Sequence, residues 1–477
     1  MTTPELPPVA ETALPTSPGR KVNWGFWVWV GCSLVLTLGV VVVGTAWAVR
    51  HTLTSGQRLS DAQQEAALAV ASFPGTVRDA VQEFMWQFSV DPEPLLMDRA
   101  STEKPYWVRH FPEPSDTGYL LFSGSDAKAK QSIVELIRIS DGKSIARWVP
   151  DWDYILSNAR LPDGADIPEI KKQRAIHPLL ASNGDIIFNT GIFLVRMGLC
   201  STKPIWQVNK PHHHSNEFDP NGNIISPSKF DVEIPIPKRS ARKWENDSIS
   251  TISPDGIVIH NISFAKILID NDMKALLVGQ AGWDNKGTDP IHMNEIKPAL
   301  TDSKFWRKGD LLISARHLST VFLYRPSTSK IIWYQTGPWI NQHSVDFVGD
   351  HQISVFNNNV VLWVPTSFIS SSDHNEVMLF DFSTGKVTEP YRDLLNQAKP
   401  RTITEGRAMV LPDGELFIEE TNFGRQMLFK DGRLLWSRVN DFPDGRVGIL
   451  AWSRYLTENE ARSALNAIES NSCVNHR

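Results

Sequence analysis

The stretch that decides the fold runs from Gly309 to Trp333, GDLLISARHLSTVFLYRPSTSKIIW. A turn pair, Gly309-Asp310, precedes the apolar run Leu311-Leu312-Ile313. A second turn, Ser327-Thr328, leads to a closing strand that ends on Trp333. Short apolar runs bounded by turn residues read as strands joined by tight connections. The same theme recurs along the chain. Turns at Thr117-Gly118, Asn183-Gly184, Asp255-Gly256, Gly349-Asp350 and Asp413-Gly414 each precede an apolar run. Second turns at Ser140-Asp141-Gly142, Thr202-Lys203-Pro204 and Asp431-Gly432 lead to Trp148, Trp206 and Trp436, and Ser383-Thr384-Gly385 leads to Val387.

That makes about six units of roughly 40 to 70 residues, which fits the radially arranged four-stranded sheets of a propeller. The expected fold is therefore all-β, a six-bladed β-propeller over residues 105–477. A β-sandwich is the alternative, but it does not need so many turn–strand units. Tryptophan on the closing strands predicts packing between blades, and it accounts for part of an unusual count of 17 Trp against 7 Tyr. Near the end, Val447 to Tyr455 reads as a last strand able to close the ring. Thr457 with Glu460 then marks a helix start by the capping-box pattern.

One segment stands outside this pattern. Trp24 to Val49 carries no charged residue and would span about 39 Å as a helix. Trp24, Trp27, Trp29 and Trp47 suit an interfacial belt at its two ends. An uncleaved signal anchor is expected. A cleaved signal peptide ending near Ala46-Trp47-Ala48 is the competing reading, against which the apolar run is long. Residues 1–23 are rich in proline and read as a disordered tail. Residues 50–104 read as a helical stalk, with apolar positions at helical spacing from Leu59 to Met85.

Composition narrows the function classes. A net charge of −5 gives no support to a nucleic-acid partner. With three cysteines and no CxxC, neither a disulfide framework nor a cysteine metal site is indicated. Cys32 lies in the apolar span, and Cys200 and Cys473 are expected to be unpaired thiols, a single bridge between them being the alternative.

Four separated segments carry the candidate chemistry. They are His212-His213-His214, His292 in Ile291-His292-Met293-Asn294, Arg316 after Leu311 to Ala315, and His343 in Gln342-His343-Ser344. Only a fold that gathers strand ends can bring them together. Histidines with one arginine suit an oxyanion such as a sulfate or phosphate ester. Strand alternation puts His292 and Asn294 on one face. It puts His212 and His214 together, opposite His213, and leaves His317 facing away from Arg316. His212 and His214 form one His-x-His pair, but no second ligand pair follows at a zinc spacing. His177, His260, His351 and His374 carry only structural readings.

His213-His214 followed by Gly222, Ile291-His292-Met293-Asn294, Ser314-Ala315-Arg316 and Gln342-His343 resemble the arylsulfotransferase family. Ile353 to Asn359 and Trp452-Ser453-Arg454 are similar to it as well. The resemblance covers about residues 175–455. It implies a six-bladed propeller acting outside the cytoplasm that moves a sulfuryl group from an aryl sulfate ester to a phenol, without the nucleotide donor PAPS. It implies His343 as the nucleophile, forming a sulfohistidine. His214, His292 and Arg316 would hold the sulfate and protonate the leaving oxygen, with His213 and Asn294 in substrate-binding places. No cofactor and no metal are called for. A non-catalytic propeller acting as a binding module at the membrane surface is the alternative, and a quinone-dependent dehydrogenase propeller is a more distant one.

Overall fold

A computed structural model describes residues 24–55, 96–97, 107–110, 118–159, 172–232, 244–280, 289–364, 367–370, 372, 374–443 and 445–471. The chain divides into two compact units, 1–91 and 92–477.

Within the first unit a helix runs from Trp24 to Ser55. Its stretch Trp29–Trp47 has a mean hydropathy of 2.0, long and apolar enough to cross a membrane. Leu34, Val35, Leu36 and Val43 on it are exposed, as befits a helix whose natural solvent is lipid or a signal segment. The expected tail falls outside the described residues. So does the expected stalk beyond Ser55, apart from the short strand Leu96–Met97, which pairs with Val447–Gly448.

The second unit contains six antiparallel sheets built to one plan. Blade 1 is Tyr119–Asp126, Gln131–Arg138 and Ser144–Trp148, with Arg454–Leu456 added at its first-strand edge. Blade 2 is Ile176–Leu180, Ile186–Asn189, Leu194–Met197 and Pro204–Val208. Blade 3 is Glu217–Phe218, Ile224–Lys229, Asp247–Ile252 and Val258–Ser263. Blade 4 is Met293–Pro298, Leu311–Ala315, Thr320–Arg325 and Lys330–Thr336. Blade 5 is Val345–Val348, Gln352–Asn357, Glu376–Asp381 and Lys386–Thr388, with a hairpin, Val360–Val364 and Ser367–Ser370, inserted between its middle strands. Blade 6 is Arg407–Val410, Leu416–Glu420, Arg425–Lys430 and Arg433–Val439, flanked outside by Trp107–Arg109.

Why these sheets form a ring follows from the two-residue period of a strand. In blade 4, Leu311 and Ile313 pack against Ile225 and Ile249 of blade 3, while Leu312 between them packs against Val345 and Ile353 of blade 5. In blade 1, Leu121 faces Ile186 and Phe188 of blade 2, while Leu120 and Phe122 face Phe417 and Leu428 of blade 6. Each sheet is thus apolar on both faces, and the buried clusters occupy successive gaps between blades. The ring closes through Arg454–Leu456, which pairs with Tyr119–Leu121. The fold is a six-bladed β-propeller.

The tryptophans of the repeat, Trp148, Trp206, Trp333 and Trp436, all lie on the fourth strand of their blades, outermost except in blade 6, and pack between blades. The capping box is present: Thr457 caps the helix Glu458–Glu469, whose Ala461 and Ile468 enter the gap between blades 1 and 2.

The run Ile257 to Ile259 leads into the strand Val258–Ser263 as expected, and it lies at the exposed outer edge of blade 3, with Ile257 66% exposed. Two expectations need correction. The last strand is broken, because Trp452 adopts φ +62° between Val447–Gly448 and Arg454–Leu456. Cys200 is disulfide-bonded, not a free thiol. Since Cys32 is free and the chain has three cysteines, the remaining candidate is Cys473, outside the described residues. Cys200 Sγ lies 3.7 Å from Oδ1 of Asn471, two residues from it in sequence.

Candidate functional site

Each blade enters its innermost strand through a non-glycine residue in the left-handed region. In blade order these are Trp452 (φ +62°), His177 (+48°), His214 (+59°), His292 (+50°), Asn341 (+51°) and Glu405 (+63°). Such a backbone costs on the order of 1–3 kcal/mol per residue and concentrates at functional sites. Here it breaks the strand alternation at the entry point and groups these side chains. The rings of His177 and Trp452 are 5.3 Å apart, Trp452 and His214 5.9 Å, and His214 and His292 5.0 Å. His343, two residues beyond Asn341, lies 6.1 Å from His214 and 6.3 Å from Trp452.

His213, His214, His292, Arg316 and His343 are therefore brought together, from three blades. Arg316 heads a 3-10 turn, Arg316–Leu318, directly after its strand. Its charge acts on His214, His292 and His343 alike. Asn294 is close by but turned elsewhere. It sits where the pairing of Met293 and Glu295 with the next strand slips, and its Nδ2 donates to the Gln342 carbonyl at 3.0 Å.

The alternation argument fails at each entry. Left-handed His292 stands before the strand, so it shares no face with Asn294 by pleat. His213 and His214 touch, Nδ1 to Nδ1 at 2.9 Å, while His212 is buried apart, bridging backbone with Ser228, and neither of its ring nitrogens has a partner among the described residues. His317, expected to face away, stacks on His292 at 4.5 Å.

Several supporting residues carried no readable signal. Asp289 holds His292, Oδ2 to Nδ1 at 2.5 Å. Asp247 lies 3.5 Å from His213 Nε2. Asn358 Oδ1 lies 2.7 Å from His343 Nδ1. Because Asn358 Nδ2 already donates to the carbonyls of Thr402 and Glu405, its Oδ1 must accept, which puts the proton on His343 Nδ1. His343 Nε2 then holds the lone pair, and it accepts the Glu405 N–H at 2.7 Å. Glu405 is anchored by a two-pronged ion pair with Arg174. Only the Asn-Asn-Asn run at 357–359 and Trp-Ser-Arg at 452–454 offered a hint, through the resemblance.

Electrostatics set the resting state. Burial, reinforced by neighbouring imidazoles and Arg316, holds His214, His292 and His343 well below the usual histidine range. Burial also pushes Arg316 down to about 10, which leaves it charged at neutral pH. A neutral imidazole cluster around one guanidinium is a receptor for an anion.

An ionic network lies next to this cluster. Arg454 donates to both oxygens of Glu217 at 3.0 and 3.2 Å, and Lys297 lies 3.3 Å from Glu217 and from Asp346. Opposing cations hold Glu217 down at about 2 against its burial, whereas burial pushes Glu295, whose oxygens find no hydrogen-bond partner among the described residues, up to about 7. His177, Glu217 and Glu295 are close enough to share a metal ion. Arg407, Arg454 and Lys297 all act on Glu217, however, and so much positive charge disfavours a divalent cation there.

Among solved structures, the propeller is similar to a protein of unknown function from Bacteroides caccae, at 11% identity and TM-score 0.42, covering 71% of this chain and 99% of that one. It is similar to virginiamycin B lyase from Staphylococcus aureus, at 11% and 0.35, covering 73% and 98%. The WD40 propeller domain of Doa1 matches at 12% and 0.36, covering 72% and 89%. These scores are low, and the blade count rests on the sheets described above. No curated protein matches. The family model for arylsulfotransferase (ASST) matches residues 177–440, which run from the left-handed histidine of blade 2 through the last strand of blade 6 and include every imidazole of the cluster. The chain belongs to the arylsulfotransferase family.

Proposed function

We propose that this protein transfers a sulfuryl group from an aryl sulfate ester to a phenolic acceptor through a covalent intermediate on His343. The observation that carries the reading is the meeting of His214, His292 and His343 beside the cation Arg316. A monoanionic sulfate ester is the charge that such a pocket lacks. Arg316 offers it two parallel donors, and the imidazoles add one each.

In the first half-reaction His343 Nε2 gives up the Glu405 N–H and attacks sulfur. The N–S bond forms as the S–O(aryl) bond breaks, and the leaving oxygen takes a proton from His292 or His214. Asn358 holds the Nδ1–H end of His343 and keeps the lone pair on the attacking nitrogen. In the second half-reaction a phenol returns its proton to the same imidazole while its oxygen attacks sulfur and the N–S bond breaks. Negative charge on the non-bridging oxygens stays within reach of Arg316 throughout.

The apolar helix supports tethering to a membrane, and the disulfide at Cys200 supports an oxidising, extracytoplasmic compartment for the propeller. The test is full-length protein in detergent treated with an aryl sulfate and no acceptor. Intact mass spectrometry should show one added sulfuryl group, lost in His343→Ala and discharged by a phenol. An adduct that survives His343→Ala would remove this assignment.

A further inference from the structure

Sulfuryl transfer to and from phenols needs one imidazole that is a better proton donor than its neighbours. Both His214 and His292 face the same space, but their second nitrogens are held differently. His214 Nδ1 meets another imidazole, His213, at 2.9 Å. His292 Nδ1 meets a carboxylate, Asp289 Oδ2, at 2.5 Å, and Asp289 Oδ1 accepts the His292 backbone N–H at 3.1 Å.

Asp289 also reaches the arginine. Its carbonyl oxygen accepts His317 Nδ1–H at 2.6 Å, so His317 Nε2 carries the lone pair that accepts from Arg316 Nη1 at 3.1 Å. The backbone repeats the linkage: Arg316 N–H donates to the His292 carbonyl at 3.0 Å and His317 N–H to that of Ile291 at 3.1 Å. One residue thereby aligns an imidazole and, through a second imidazole stacked on the first, a guanidinium.

Resting on the sulfuryl-transfer reading, we propose that Asp289 is a positioning residue that makes His292 the general acid of the reaction and that His317 holds Arg316 to the sulfate. The charged and titratable groups facing this pair, among the described residues, include Asp247, Lys229, His213, His214, His317, His343 and Arg316. At rest, burial and Asp247 raise the Asp289 carboxyl while burial lowers the imidazole, so the pair shares one proton across a short contact. An arriving sulfate ester adds negative charge on the Nε2 side and draws a second proton, taken from solvent, onto that nitrogen. The imidazolium gives this proton to the leaving aryl oxygen as the S–O bond breaks with its electron pair on oxygen. The acceptor phenol gives a proton back to Nε2 as its oxygen bonds to sulfur.

The test compares full-length wild type, Asp289→Asn, Asp289→Glu and His317→Gln on a series of aryl sulfates of graded leaving-group acidity. Loss of a general acid matters most for the least acidic phenols. Asp289→Asn should slow those donors by about 10²–10⁴-fold, slow an acidic nitrophenyl donor by less than about tenfold, and so steepen the leaving-group dependence. Asp289→Glu, which keeps the carboxylate, should restore much of the shallow slope and keeps the test decisive should Asn in that place prevent folding. His317→Gln should raise KM for every donor with the slope unchanged. A uniform loss across donors in Asp289→Asn and Asp289→Glu alike, or no loss in either, overturns the proposal while leaving the sulfuryl-transfer reading intact. A wild-type protein that releases no phenol from any donor overturns both.

Discussion

Arg316 offers a sharp test, because in the absence of an anion it is a largely desolvated charge that Asp289 and Glu405 offset only in part. Its side-chain partner is a neutral imidazole, His317, and its Nε has no hydrogen-bond partner among the described residues. A fall from the ordinary guanidinium range to about 10 corresponds to roughly 3 kcal/mol of charge desolvation left uncompensated by those carboxylates. Replacing such a group with an unbranched apolar side chain of similar length removes that cost and loses some packing. Arg316→Met should therefore stabilise the free protein by on the order of 1–3 kcal/mol, a rise of a few degrees in Tm. The same change should lower kcat/KM for aryl sulfates by about 10²–10³-fold, the usual cost of losing one preorganised donor to developing negative charge. The two effects oppose each other, which separates this account from simple structural damage. Thermal melts followed by tryptophan fluorescence, with and without a slowly reacting sulfate ester, give the first quantity. Phenol release gives the second. Wild type should gain stability on adding the ester, and the variant should not. If Arg316→Met melts below wild type while retaining activity, the guanidinium is structural and the anion-receptor argument fails.

Further outcomes follow from the same charges. His212 is buried with no partner on either nitrogen among the described residues, and burial holds it at about 3. Its penalty is absent above pH 6.5 and grows by about 1.4 kcal/mol per pH unit as pH falls from there toward 3. His212→Phe should thus move the acid-unfolding midpoint to lower pH, and an unchanged midpoint would count against the burial argument. Glu295, raised to about 7 from an ordinary 4.5, makes folding less favourable as pH climbs through that interval. Glu295→Gln should stabilise the propeller at pH 8 and change little at pH 4, as read by denaturant titration at the two pH values. A non-reduced proteolytic digest should yield Cys200 linked to Cys473; finding Cys473 alkylated by a thiol reagent before reduction would refute that pairing.

What could be read from the chain alone was whatever repeats locally. Turn pairs before apolar runs announced the blades, Trp148, Trp206, Trp333 and Trp436 marked their fourth strands, and Thr457 with Glu460 marked the final helix. These signals depend on neighbours a few residues apart, where backbone geometry is short-ranged. The segments bearing His214, His292, Arg316 and His343 could be picked out for the same reason, and with the family resemblance their meeting could be expected.

Which way each ring faces was another matter. Strand alternation misplaced His212, Asn294 and His317, because it holds only inside a regular strand: left-handed His214 and His292 reset it at the entries of blades 3 and 4, and the 3-10 turn Arg316–Leu318 ends it before His317. Asp289, Asn358 and Glu405 sit in stretches with no pattern of their own, and they matter only because ring closure brings six strand entries together. Whether a side chain points into that centre depends on one backbone angle per blade. That angle is stabilised by contacts with residues tens to hundreds of positions away, so only the assembled propeller determines it.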